Sequence, residues 1–165
     1  LLYGPNACKK ACLTLYSPEI PGYTLFDIDT SLANFDDLKK QLIIILSGKN
    51  SEKIFFPTGS SLGCYDDLKR AKTLAYKMIV EYGMGDKIYS GLGEYSINNI
   101  DKQIEGLVNG ADNYSYNLIK KYVSCVNDLS HMLYDNHVIT GNNISYLLNT
   151  KYQHCLITAK VKIIT

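Results

Sequence analysis

The sequence has no tryptophan, only four prolines, and a single arginine, Arg70, among 17 basic side chains. The 17 basic residues meet 16 acidic ones, a net charge of +1, so the basic excess that a phosphate backbone demands is missing and no nucleic-acid partner is expected. The 14 tyrosines are scattered rather than striped, which does not build a stacking platform for single-stranded nucleic acid. The longest aliphatic run is Leu42–Leu46, far short of the roughly 20 residues of a membrane helix. No GKS or GKT follows Thr58-Gly59, so that pair reads as a tight turn and not a phosphate loop. The chain opens Leu1-Leu2-Tyr3, with no initiator Met and no signal peptide, and is expected to be a piece of a longer protein.

At 46% hydrophobic and 20% charged, the 165 residues carry enough apolar material for a genuine core. The length predicts one soluble globular domain over 1–165, with 151–165 as an extended tail whose Ile157–Thr165 stretch alternates like a strand. Five cysteines, Cys8, Cys12, Cys64, Cys125 and Cys155, show no CxxC knuckle. A metal site from Cys8, Cys12 and the His154-Cys155 pair is the functional alternative; reduced thiols acting as small hydrophobes are the expectation.

Periodicity predicts a mainly α fold with a small β element near the N-terminus. Residues 12–29 read as extended: Cys12-Leu13-Thr14-Leu15-Tyr16 alternates, Pro18 and Pro21-Gly22 punctuate, and Tyr23-Thr24-Leu25-Phe26 resumes. Asn34 is a good N-cap, with Asp36 and Asp37 following where a helix favours carboxylates. Leu38, Leu42, Ile45 and Leu46 keep helical spacing up to Ser47-Gly48, a stop or a close-packing point. Asp66 or Asp67 opens a second helix whose stripe is Leu68, Ala71, Leu74, Ala75, Met78, Ile79 and Tyr82, ending at Gly83-Met84-Gly85. After a loop over 86–98, a long third helix carries Ile100, Ile104, Leu107, Val108, Ala111 and Leu118, weakened at Asn109-Gly110. Shorter helices are expected near 124–134 and 141–149. These patterns alone fit a helical binding module as well as an enzyme.

The order of several segments adds a resemblance. Leu13-Thr14-Leu15, Pro18 and Gly22-Tyr23-Thr24 are similar to the strand pair and glycine turn after the zinc helix of FtsH-type peptidase domains. Ser47-Gly48-Lys49-Asn50-Ser51-Glu52-Lys53-Ile54 resembles the family's GGRAAEEI segment. Thr58-Gly59-Ser60-Ser61 with Asp66-Asp67-Leu68-Lys69-Arg70-Ala71 resembles TTGASNDLxRAT, and Met78–Gly85 resembles MVxxYGMS. Ile100-Asp101, then Leu129-Met132-Leu133, Ile139-Thr140-Gly141, Ile144 and Leu147-Leu148 fit the family's closing helices. The resemblance runs from about Leu13 to Leu148.

What it implies is a mainly helical zinc-peptidase domain, fused in full-length members to an AAA+ ATPase and a membrane anchor. Such members assemble as hexamers in bacterial or organellar membranes and act on protein substrates. The family binds Zn²⁺ through HExGH, two His on one helical face with the Glu activating a metal-bound water. The third ligand is the Asp of TTGASND, which corresponds to Asp67, with Asp66 adjacent. No HExxH occurs in these residues. The distance from Leu1-Leu2 to Gly22-Tyr23-Thr24 puts the motif upstream of Leu1, since the alternative register would set Pro5 inside the zinc helix. The chain alone is therefore expected to be inactive, Zn²⁺ belonging to its parent protein; a pseudopeptidase with an assembly or chaperone-like role is the alternative.

Two departures from the family bear on this choice: the inserted Leu62-Gly63-Cys64-Tyr65 beside Asp67, and the replacements at Ser47 and Lys53. Lys53 is unfavourable near a metal cation unless it points to solvent. Glu52 reads as an acid supporting the site or as a solvated helix residue. His131 and His137 lie beyond the family's ligand positions, and His131 is expected to be packed or partly exposed.

Overall fold

The computed structural model describes residues 2–3, 7–14, 22–27, 31–56, 58–59, 61–89 and 93–153. The expected tail from His154 onward, Pro5 and the Leu15–Pro21 turn lie outside the described residues. Mainly helical with one small sheet, the fold divides into two compact units, residues 32–121 and residues 1–31 with 122–165.

The helical unit begins at α1, Phe35–Phe55. Asn34 caps it reciprocally: its side chain accepts from the Asp37 N–H at 3.1 Å, and the Asp37 carboxylate accepts from the Asn34 N–H. α1 does not stop at Ser47-Gly48 but runs on through Phe55. One glycine inside a packed helix costs only about 1 kcal/mol, and burial on both sides of it outweighs that. Leu42, Ile43 and Leu46 are 0–2% exposed, because α1 packs on both other helices of the unit.

The second helix, α2, spans Tyr65–Tyr76 and continues as a π-helical turn over Lys77–Glu81. Ala71, Ala75, Met78 and Ile79 are buried as their spacing requires, but Tyr82 is 51% exposed. The π turn explains the difference. The Tyr82 N–H donates to Lys77 O at 2.8 Å, five residues back, so one extra residue in the turn rotates Tyr82 off the stripe. Gly83 follows at φ +63°, a left-handed position that favours glycine. Helix α3, Glu94–Lys121, starts inside the region expected as loop and crosses Gly110 unbroken. Its buried residues are Ile100, Ala111, Ser115 and Ile119; the stripe drifts around the 28-residue helix, so Ile119 is buried in place of Leu118.

In the other unit, β1 (Cys8–Leu13) is the central strand of an antiparallel sheet in the order β2-β1-β3. Strand β2 is Gly22–Phe26 and β3 is Val138–Thr140. β1 lies further upstream than its alternation alone indicates, because pairing on both edges (Ala11 with Thr24 and with Ile139) selects the register. Helix α4, Val123–Asn136, ends at His137 in the left-handed region, φ 59°. The His137 carbonyl then accepts from Leu13 N–H at 2.8 Å, starting β3 against β1. Thr140 caps α5, Gly141–Thr150.

Two contacts tie this unit together. A Cβ added at Gly141 would meet the Cys8 carbonyl oxygen at 2.2 Å, so α5 approaches β1 only because the position has no side chain. The second contact is centred on Asp128 in α4, whose Oδ2 accepts from Lys151 Nζ and from the buried Tyr152 hydroxyl at 2.7 Å. The bond from Lys151, then that from Tyr152, holds the Asp128 carboxyl below its usual value. The shared Asp128 oxygen in turn raises both the Lys151 ammonium and the Tyr152 hydroxyl.

Gly141→Ala is expected to destabilise the chain by roughly 1–3 kcal/mol, since the obstructing atom is backbone; urea unfolding checks it. Asp128 binds its partners as a carboxylate, and its depressed folded-state value means this stabilisation is lost only as pH falls below about 3.9. Tyr152 donates while protonated, and its raised value means that part is lost only as pH rises above about 10. Thermal unfolding of Tyr152→Phe beside the parent should therefore show a stability difference that is constant through the neutral range and shrinks at both extremes.

Candidate functional site

Asp67 lies in the first turn of α2, and its position starts with the segment that leads into the helix. Glu52, in the last turns of α1, accepts through Oε2 from the Ser61 N–H at 2.6 Å and through Oε1 from the Ser61 hydroxyl at 3.1 Å. Ser61 Oγ in turn accepts from the Gly63 N–H at 3.1 Å and caps a short 3₁₀ turn, Leu62–Cys64, that runs directly into α2. Upstream, Gly59 at φ +79° closes a turn by donating its N–H to Phe56 O at 3.0 Å. Thr58-Gly59 is thus a turn, as its sequence predicts.

The inserted Leu62–Tyr65 segment occupies the 3₁₀ turn and the first residue of α2. Leu62 and Tyr65 point outward, 93% and 64% exposed. The segment thus leads into α2 with these two side chains in solvent, while Cys64 is half-buried with its thiol 3.0 Å from the Ser61 carbonyl oxygen. Asp66 is exposed, and Asp67 is half-buried. Asp67 Oδ1 lies 3.5 Å from the exposed Arg70 guanidinium, a long contact of small energetic weight. Its Oδ2 lies 3.6 Å from where a Cβ on Gly48 would stand, so the carboxylate rests beside the bare backbone of α1.

Among the described residues no three His, Cys, Asp or Glu side chains gather where a metal ion would be held. One carboxylate does not fit a zinc ion, which takes three or four protein ligands, so no chemical step follows from these residues alone. His131 is exposed on α4, and His137 serves as the left-handed cap of that helix. Cys8, Cys12 and Cys64 are half-buried and Cys125 is buried. Burial raises the Cys8 thiol above its usual value, which makes it a poor nucleophile at neutral pH. Both His154 and Cys155 lie outside the described residues. Lys53 is exposed and lies 5.2 Å from the centre of the Tyr116 ring on α3.

A buried polar junction behind this region escapes the periodicity argument. Asn50, 1% exposed, donates through Nδ2 to the Asp112 carbonyl at 3.1 Å and to its Oδ1 at 3.0 Å. Lys49 Nζ adds a bond to Asp112 Oδ2 at 2.8 Å. One signal exists in the sequence: Leu38, Leu42, Leu46 and Asn50 follow one another at four-residue spacing, so an amide continues the apolar stripe and needs a partner.

Comparison with known proteins coincides with this geometry. Residues 20–96, which include β2, α1 and α2, match the model of Peptidase family M41. An ATP-dependent zinc metalloprotease FtsH 2 of Conexibacter woesei is 26% identical over 148 residues, covering 78% of this chain and 21% of that protein. The chloroplastic ATP-dependent zinc metalloprotease FTSH 9 of Arabidopsis thaliana is 32% identical over 91 residues, 53% of this chain and 11% of its own length. A Thermoanaerobacter FtsH 2 is 33% identical over 96 residues, 56% of this chain and 18% of its own. These matches make the chain similar to FtsH-type peptidase domains. The chain spans about a fifth or less of the length of these relatives, and no helix among its described residues is long and apolar enough to cross a membrane.

Glu52→Ala is expected to release Ser61 and lower stability by about 1 kcal/mol, below the roughly 1.5–3 kcal/mol of a charged hydrogen bond because this one is exposed. Amide exchange at Ser61 and Gly63 should accelerate while exchange in the middle of α3 does not; equal acceleration at both places would contradict a local clamp.

Proposed function

We propose that this chain is the peptidase portion of an FtsH-like ATP-dependent zinc metalloendopeptidase, with Asp67 contributing one zinc ligand. The observation that carries the reading is the placement of Asp67: first turn of α2, beside Gly48, on a lead-in held by Glu52. The matched residues 20–96 include each of these positions. The zinc helix with its two His and its Glu is supplied from residues upstream of Leu1, and both compact units belong to one peptidase region over 1–165. Protein substrates, an AAA+ module in the same parent chain, hexameric assembly and membrane anchoring of that parent follow from the same reading. Zinc, once bound, supplies a Lewis acid and an activated water; Asp67 in this chain would hold the metal.

On this reading the 165 residues by themselves are not catalytic. A second reading, a pseudopeptidase kept for assembly, draws on Ser47 and Lys53, which replace a glycine and an acid of the family segment.

The purified chain incubated with casein and Zn²⁺ should leave the casein intact; cleavage abolished by a chelator would overturn its inactivity. In the longer parent polypeptide, Asp67→Asn should lower both retained zinc, read by elemental analysis, and casein hydrolysis. The loss should be at least the roughly 10–100-fold typical of a residue that merely supports a metal ligand. Unchanged zinc content in that variant would remove Asp67 from the site, and a parent without HExGH would favour the pseudopeptidase.

A further inference from the structure

Helices α2 and α3 leave an open groove of about 630 Å³ between them, on the helical unit. Its floor is apolar, built from Tyr76 on α2 and from Ile104 and Val108 on α3. Tyr76 stays 43% exposed there. The volume is within the range of small-molecule pockets, but the groove is largely open to solvent and walled by two helices, which suits a rod better than an enclosed ligand. Its α3 wall runs from Asp101 to Asn109, roughly 12 Å or a little over two helical turns.

Charge narrows the occupant further. Asp101 and Glu105 stand one turn apart on the α3 wall, both exposed. Neither side chain has an ion-pair or hydrogen-bond partner among the described residues. Like charges four residues apart repel on a helix, so the pair weakens α3 unless a cation lies over it. Lys72 on the opposite wall is one positive charge against two, and it pairs with neither. We propose that this groove docks an amphipathic helix of a partner protein, with its apolar face on Tyr76, Ile104 and Val108. Two lysines or arginines one turn apart on that helix would meet Asp101 and Glu105. Helix-in-groove recognition needs these two elements, an apolar seam and a charged register mark.

The probe is a synthetic helical peptide of about 15 residues, long enough to hold some helix alone. It carries leucines at i, i+3 and i+7, with lysines at two flanking positions one turn apart. Calorimetric titration into the full 165-residue chain should give saturable binding that weakens as salt screens the charges. The double substitution Asp101→Asn with Glu105→Gln should lower affinity about tenfold, the loss expected of two exposed pairs. That variant relieves repulsion within α3, so its melting temperature should not fall, and a weaker affinity then reports recognition and not unfolding. Val108→Ser should weaken binding at every salt concentration. No binding, binding indifferent to the double substitution, or equal binding of a peptide with glutamates in place of the lysines would each overturn the proposal. So would a chain that fills the groove by dimerising, detected as a dimer that Val108→Ser dissociates.

Discussion

Leu42, Ile43 and Leu46 of α1 are almost entirely removed from water, and the helical unit follows from that burial. Each such side chain contributes about 1.5–3 kcal/mol on leaving water, but only if apolar partners stand on both sides of the helix. α2 and α3 supply them, with small residues at the closest positions: Ala71 and Ala75 from one, Ala111 from the other, all 0% exposed. The same burial carries α1 past Gly48, where a lone helix would weaken. Because α1 continues, Glu52 comes within reach of Ser61, and the start of α2 is set. The position of Asp67 thus depends on the core behind it.

Polar groups inside this packing make the arrangement specific. Asn50 lies where another leucine would satisfy the apolar stripe, yet it is bonded to both the carbonyl and the carboxylate of Asp112. A buried amide without its partner costs about 1–3 kcal/mol, so a slip of α1 along α3 is penalised beyond the apolar contacts it would lose. In the second unit the contacts through Asp128 and at Gly141 act similarly, fixing how the last two helices approach the sheet. Both units pair an apolar core that drives collapse with a few polar or steric contacts that select one register.

The likeness to FtsH-type peptidase domains includes α1, α2 and the turn between them. The Leu62–Tyr65 segment falls in that turn, with Leu62 and Tyr65 projecting into solvent and Ser61 bonded to Glu52. The pair of carboxylates along the α2–α3 groove is set on a helix whose buried face holds it in place.

Much of this was legible in the residues. Helical spacing from Leu38 onward, the Asn34 cap with Asp37, the opening of α2 at the paired aspartates and the two last helices are local properties, carried by side chains within a turn or two of one another. The ordered segments also carried the family resemblance. Other features depended on residues far apart in the chain. The register of β1 is chosen by its partners on both edges, and the π turn that turns Tyr82 outward is a backbone detail with no apolar signature. The Glu52–Ser61 clamp spans the α1–α2 turn, and the Asn50–Asp112 bonds join two helices. Short-range periodicity therefore determined which elements form and which faces are apolar; long-range packing decided where they end, how they register and which polar side chains meet, because those energies exist only once distant segments touch.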